Sequence, residues 1–256
     1  MIRVVKIGGR AQSDARLAEF LLGVWIDAPN SLCVVHGGGD EVSSMQLALG
    51  REAAFVGGRR VTSKADLDLL RMVLSGLVNK RLVNALVAAG IPACGVSGED
   101  DGLIAAEIID SVSLGFAGRV TRINTRILRA IMGAGNLPVI SPVAYDGQSG
   151  KGGVLNVNGD DAAAAIAAAI QANELLLIAD VEGVRGQNGE IFQSLTVDSA
   201  RELIENGTAA GGMTAKLESA QVALLAGVER VRICDLAGLI DGERGTNITQ
   251  SQGAVL

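Results

Sequence analysis

The chain is poor in the residue types on which several kinds of function rest. Aromatic residues make up 2% of its 256 residues, too few for a platform that stacks the bases of a single-stranded nucleic acid. There is one histidine, His36, and the three cysteines, Cys33, Cys94 and Cys234, lie far apart without CxxC spacing. A His/Cys metal site is therefore not expected. An odd number of scattered cysteines beside apolar residues reads as reduced, buried thiols in a cytoplasmic protein, with a catalytic thiol as the alternative. The longest apolar run, Ala162–Ile170, is Ala-rich and well short of the ~18–20 residues that span a bilayer. The strand-like pattern starts at Ile2, so no signal or transit segment is expected ahead of it. Basic residues are outnumbered: 22 Lys+Arg face 28 Asp+Glu, a formal net charge of -6. Without a Lys/Arg block, that balance argues against nucleic acid or an anionic membrane as a partner.

What the chain does have is a large apolar share, 48%, and 34 clustered glycines. The length suits one large or two fused domains with a sizeable core. Arg3–Ile7, Leu32–Val35, Ala93–Val96, Leu137–Ser141, Leu175–Ala179 and Val231–Cys234 read as strands. Asp14–Val24 (capped by Ser13), Glu41–Leu49, Lys64–Leu86, Asn124–Met132, Ala162–Ala172, Asp198–Glu205 and Met213–Ala226 read as helices, the third with a break expected near Gly76. Leu103–Ile109 and Val112–Val120 suggest a hairpin. Short apolar strands alternating with helices predict an α/β protein with a mainly parallel sheet covered on both faces. The polar, Gly-rich segment Tyr145–Gly153 is the expected joint between two lobes.

Six motifs could carry chemistry. Lys6-Ile7-Gly8-Gly9 ends the first strand and His36-Gly37-Gly38-Gly39-Asp40 follows the second. Ligands of parallel α/β sheets bind at strand C-termini, and glycines there let backbone N–H groups reach an anion. The competing readings are ordinary turns, with His36 a packed core residue. In Gly58-Arg59-Arg60-Val61-Thr62 an arginine suits a carboxylate, while a surface pair with Thr62 or Ser63 as helix cap is the alternative. Asn156-Val157-Asn158-Gly159-Asp160-Asp161 places both asparagines on one side of an extended segment. Asp160 there is either functional or an N-cap. Ala179-Asp180-Val181-Glu182-Gly183-Val184 closes a strand, and Gly211-Gly212-Met213-Thr214-Ala215-Lys216 opens a helix, where a lysine opposes the dipole unless an anion compensates.

In order, VVKIGG, VVHGGG, GRRVT, LSGLVNK, GVSGEDDGLI, LNVNGDDAA, LLIADVEGV and GGMTAK resemble the amino acid kinase superfamily and, within it, the N-acetylglutamate kinase family, from Val4 to about Thr249. The resemblance implies a three-layer α/β/α sandwich in two lobes, residues 1 to about 150 binding an acyl amino acid and about 151–256 binding ATP. It implies transfer of the ATP γ-phosphoryl group to the side-chain carboxylate of N-acetyl-L-glutamate, giving an acyl phosphate for arginine biosynthesis. Lys6, Asp160 and Lys216 would be catalytic, with Asp160 holding both lysines. Gly8, Gly9, Gly37 and Gly38 would donate N–H groups to the phosphoryl in transfer. Gly38, Gly39, Arg60 and Asn156 would bind the acyl amino acid, the last two at its α-carboxylate and acetamido end. Ala179, Asp180, Val181, Gly183, Val184, Gly212 and Met213, with Lys6 and Lys216, would line the nucleotide pocket. ATP would arrive with Mg²⁺ held mostly by phosphate oxygens and water, since no carboxylate cage is visible. Because the chain starts almost at its first strand, without the N-terminal helix of hexameric members, the resemblance further implies a homodimer not inhibited by arginine.

The physics of such a transfer suits these residues. A glutamate side chain of ordinary pKa near ~4.3 is ionised at neutral pH, so no general base is needed. What is needed is local positive charge between two anions, on a protein whose net charge repels both. One alternative is a kinase of the same fold acting on N-acetyl- or carrier-linked aminoadipate. The GRRVT loop favours the glutamate form, although one methylene is worth only ~1–3 kcal/mol. The other is a non-catalytic nucleotide or amino-acid sensor, against which the intact Lys6, Asp160 and Lys216 argue.

Overall fold

The computed structural model describes residues 1–149 and 152–250. Thirteen strands occur among them: β1 (Arg3–Ile7), β2 (Leu32–His36), β3 (Phe55–Val56), β4 (Arg59–Arg60), β5 (Ala93–Gly98), β6 (Ile104–Ile108), β7 (Ala117–Ile123), β8 (Leu137–Asp146), β9 (Val154–Val157), β10 (Glu174–Ile178), β11 (Ser194–Thr196), β12 (Arg230–Cys234) and β13 (Thr246–Thr249). The α-helices are α1 (Leu17–Asp27), α2 (Gly39–Ala48), α3 (Lys64–Leu70), α4 (Asn79–Ala88), α5 (Arg126–Gly133), α6 (Gly159–Ala169), α7 (Val197–Glu205) and α8 (Gly212–Leu225).

Eleven strands form one sheet in the order β11-β13-β12-β10-β1-β2-β8-β6-β7-β9, with β5 also on β8; β3 and β4 form a separate hairpin. The centre, β12-β10-β1-β2-β8, is parallel throughout. The β12–β13, β6–β7 and β8–β9 pairs are antiparallel. Successive side chains of a strand face opposite ways, and here both ways lead to core. Val4, Leu175, Leu177 and Val231 pack in one cluster with Ile166, Leu217 and Ala220. Val5, Ile7, Leu176 and Ile178 pack in another with Leu21, Val24 and Leu86. This is why the central strands read as unbroken apolar runs rather than alternating ones. The Ala-rich α6 is buried along Ala162, Ala163, Ala164 and Ala167. Such short side chains let it lie against β1, β2, β7 and β10 at once.

Several expected boundaries move for local reasons. Asp14–Val24 is not one helix: a 3₁₀ turn covers Gly9–Ser13 and α1 starts at Leu17, with no side-chain cap from Ser13. The Asp14 carboxylate takes the Arg16 backbone N–H at 2.9 Å, a local turn that competes with the helix. The long helix from Lys64 does not break at Gly76; it widens into a π-helix over Arg71–Val78 and resumes as α4. Ser63 caps its start through a capping box with Asp66. β8 runs past Ser141 to Asp146 and turns back into β9, with Asp146 N–H bonded to Gly153 O at 3.0 Å. The expected joint is therefore partly strand and hairpin turn; its Gly150 and Lys151 lie outside the described residues. β11 and β13 went unanticipated because they are three and four residues long, too short for a period to register.

The cysteines divide. Cys33 and Cys234 are buried, and burial pushes each thiol up to about 12. Cys94 is exposed, which corrects the expectation that all three are buried: it sits on β5, a strand paired only with β8. No helix among the described residues is long and apolar enough to cross a membrane. Thiol titration of the native chain with a disulfide reagent should give one fast-reacting group, absent in Cys94→Ser, and three in denaturant. Two or more fast groups in the native chain would contradict this packing.

Candidate functional site

The two glycine loops sit side by side at the C-terminal ends of β1 and β2, which are paired in register through Ile7 and His36. Gly37 N–H bonds Ile7 O at 2.7 Å, joining the loops. The Lys6 ammonium lies across Gly8, where a Cβ would come within 2.5 Å of Nζ and would displace it. Gly38 opens α2 with φ 144°, and a Cβ on it would meet Leu74 at 2.5 Å. Gly38 thus requires glycine for its backbone conformation, a reason the sequence pattern alone did not contain.

Three of the predicted residues converge on one carboxylate. Asp160 Oδ1 lies 2.9 Å from Lys6 Nζ, and Oδ2 lies 3.0 Å from Lys216 Nζ. The two lysines, distant in sequence, share a cavity-side anchor, since both Lys6 and Asp160 line the same hollow. Asp160 is not the helix cap. Asn158 is, its side chain accepting the Asp160 backbone N–H at 2.8 Å, which frees the Asp160 carboxylate for the lysines. Burial alone would raise the Asp160 pKa; the Lys6 and Lys216 ammonium groups outweigh it and hold the carboxyl below its ordinary value. Burial, and next the nearby Lys6 charge, lower the Lys216 pKa despite Asp160.

The hollow beside this cluster has a volume of about 210 Å³ and is lined by Lys6, Gly8, Gly9, Gly37, Gly38, Gly39, Phe55, Arg59, Arg60, Leu74, Asn156 and Asp160, among others. Pockets for drug-sized ligands run to ~300–1,000 Å³, so this one suits a small metabolite rather than a whole nucleotide. Arg60 is buried at its edge and held on three sides. Nη1 donates to Gln46 Oε1 at 2.6 Å, and Nη2 donates to Gly39 O and Ser43 Oγ, both at 2.8 Å. The Phe55 ring lies 4.8 Å from the guanidinium carbon, within cation–π range. Asn156 Nδ2 donates to Thr62 Oγ1 at 2.9 Å, tying β9 to the Arg60 loop.

The residues expected at a nucleotide are less uniform. Asp180 returns to the glycine loops: a Cβ on Gly9 would lie 2.7 Å from its Oδ2. Val181 and Gly212 are exposed and Met213 is half-buried. Ala179, Gly183 and Val184 are buried, the last with its N–H on Thr246 Oγ1 at 2.9 Å. Of the residues expected at the nucleotide, including Lys216, only Lys6 lines the 210 Å³ hollow.

Sequence reasoning missed a supporting set. Gln46, which orients Arg60, is itself held by Asp66 Oδ1 at 2.8 Å; a lone glutamine on a helix gives no signal. Asn79 in LSGLVNK is fully buried and donates to Val139 O at 2.9 Å, with its Nδ2 also 3.1 Å from His36 Nε2. His36 Nδ1 lies 2.7 Å from Gly37 O. A carbonyl only accepts, so Nδ1 carries the proton and Nε2 accepts from Asn79. His36 is therefore a neutral core residue that sets the first glycine of its loop, the packed reading of the two.

The fold and this cluster place the chain in the amino acid kinase family, whose model matches residues 1–235. It is 44% identical over 235 residues to the acetylglutamate kinase of Cereibacter sphaeroides (strain ATCC 17029 / ATH 2.4.9), covering 91% of this chain and 79% of that protein. It is 40% identical over 258 residues to the acetylglutamate kinase of Methanopyrus kandleri, covering 96% and 99%. The crystal structure of smu.665 from Streptococcus mutans UA159 superposes with a TM-score of 0.87 at 32% identity, covering 98% of this chain and 99% of that one.

Burial lowers the His36 pKa to about 4, against ~6.5 in an unfolded chain. Between those values the unfolded chain binds a proton that the folded one refuses, so stability falls as pH falls through that window and is level above it. Urea unfolding between pH 7 and 4.5 should show a loss of up to about 3 kcal/mol from this group, and His36→Asn should show a shallower pH slope. Equal slopes for the two chains would refute the burial account.

Proposed function

We propose that this chain is an acetylglutamate kinase, transferring the γ-phosphoryl group of ATP to the side-chain carboxylate of N-acetyl-L-glutamate. The observation that carries the reading is the Lys6–Asp160–Lys216 cluster, whose Lys6 and Asp160 line a hollow together with Arg60 and Asn156. The names of the 40–44% identical relatives support it. In this reading the chain is a three-layer α/β/α sandwich, with residues 1 to about 150 taking the acyl amino acid and about 151–256 taking ATP.

The acceptor carboxylate is already ionised, so the protein's work is positioning and charge. Arg60, its plane fixed by Gln46, Gly39 O and Ser43, grips the α-carboxylate, and Asn156 takes the acetamido end. Lys6 and Lys216, held together and aimed by Asp160, neutralise the oxygens of the phosphoryl in transit. N–H groups of Gly8, Gly9 and Gly38 add donors whose orientation is set before substrate arrives; that of Gly37, expected to join them, is already bonded to Ile7 O at 2.7 Å. Asp180 with Ala179, Val181, Gly183, Val184, Gly212 and Met213 forms the nucleotide side. Among the described residues no group of three or more His, Cys, Asp or Glu stands ready to share a metal ion. In this reading Mg²⁺ enters on the phosphates of ATP and keeps oxygen and water ligands. A homodimer belongs to the same proposal, supported by the exposed Met72 and Leu77 on the helical segment after α3; the mass of the full chain in solution tests it.

Incubation with MgATP and N-acetyl-L-glutamate, trapping the acyl phosphate as its hydroxamate, should give product. The corresponding aminoadipate should do so with a kcat/KM lower by about tenfold or more. ATP binding without turnover would instead favour a sensor. Lys6→Ala should lower kcat by about 10²–10³ with little change in either KM; near-normal kcat would remove Lys6 from the chemistry. Arg60→Ala should raise the KM for the acyl amino acid by about tenfold or more while leaving that for ATP within about twofold. Equal effects on both would move Arg60 out of the amino-acid site.

A further inference from the structure

Asp160 and its neighbour Asp161 face different partners. Asp161 touches neither lysine; its Oδ2 accepts from Arg59 Nη1 at 2.6 Å and its Oδ1 accepts from Ser219 Oγ at 2.8 Å. Arg59 belongs to the β3–β4 hairpin and lines the hollow. Alternation along β4 turns Arg60 toward Gln46 and Ser43 and Arg59 toward Asp161. Ser219 stands one turn after Lys216 on α8, so the same helix carries both. A second point brings hairpin and helix together: at Gly58, φ 75°, a Cβ would lie 3.6 Å from Gly211 O, just ahead of α8. Arg60 ties the hairpin to α2 through Gln46, Gly39 O and Ser43; apolar packing adds little. The hairpin pairs only Phe55 with Arg60 and Val56 with Arg59, and Phe55 and Val56 are 56% and 49% exposed, so apolar burial contributes little there.

We propose that Arg59, Asp161 and Ser219 form a latch that fixes the β3–β4 hairpin, which roofs the amino-acid hollow, to the helix that carries Lys216. Arg59 and Asp161 are then positioning residues: they touch no reacting atom but set the acyl amino acid, gripped by Arg60 on the hairpin, at a fixed distance from the Lys216 ammonium. Ionic and hydroxyl contacts to one carboxylate give a geometry that a lone surface pair does not. The proposal rests on the phosphoryl-transfer reading for its kinetic consequence, but not for the latch itself.

Two measurements on the full chain test it. Hydrogen exchange of the backbone amides of residues 55–60, without substrates, should be faster in Asp161→Ala than in wild type; unchanged exchange overturns the latch. In steady-state kinetics at saturating MgATP, Arg59→Ala and Asp161→Ala should each lower kcat/KM for N-acetyl-L-glutamate by about tenfold. The double variant should lose about the same tenfold, because the second change severs a link already cut. Losses that multiply to about 100-fold, or single variants that lower only the melting temperature and leave kcat/KM intact, overturn the positioning role. A wild-type chain without turnover, combined with faster exchange in Asp161→Ala, would refute the proposed function and leave the latch standing.

Discussion

The arrangement of this site depends on one carboxylate sandwiched between two ammonium groups. Asp160 is nearly buried, and a buried carboxylate is costly unless compensated. Lys6 and Lys216 compensate it, and in turn Asp160 keeps two like charges, which would otherwise repel, within a few ångströms of one another. The cluster holds one more positive than negative group, on a chain whose net charge is -6. Local excess of the sign opposite to the whole is what an anion-handling site on an acidic protein requires.

The fold supplies the three groups from three separate stretches. Lys6 lies one residue from the end of the central strand β1, Asp160 in the first turn of α6, and Lys216 one turn into α8. α6 packs directly on β1, and α8 packs on α6. The alanines of α6 therefore matter to the site as well as to the core: bulkier residues would push its N-terminus, and Asp160 with it, away from Lys6. Close packing transmits such displacements.

Much of the sheet could be read from the sequence because buried parallel strands are short unbroken apolar runs, and β1, β2, β10 and β12 match their expected spans to within about two residues. The lysines, Asp160, Arg60 and Asn156 were singled out by the ordered motifs that resemble the family; each motif alone left an ordinary turn, cap or surface pair open. What was not legible depended mostly on neighbours that sequence separates widely. The Gln46–Asp66 support of Arg60 and the Asn79–His36 contact follow from pairings 20 and 43 residues apart, and the exposure of Cys94 from its place on β5; Asn158 as the cap in place of Asp160 is local, but two nearby cap-competent residues left the choice open. The π segment was hidden for another reason: its composition is that of any amphipathic helix, and only the ring size of its hydrogen bonds differs.

That segment also fixes angular phase. Each residue advances an α-helix by about 100°, so the wider turns at Arg71–Val78 decide which way every later side chain of the rod points. Winding the same eight residues as ordinary α-helix would advance α4 further about the axis. Asn79 would rotate away from Val139 and His36, and the carbonyl and imidazole it now serves would be stranded in the interior. The irregular winding therefore acts as a spacer, tuning the azimuth of one amide to the loop that begins with Gly37.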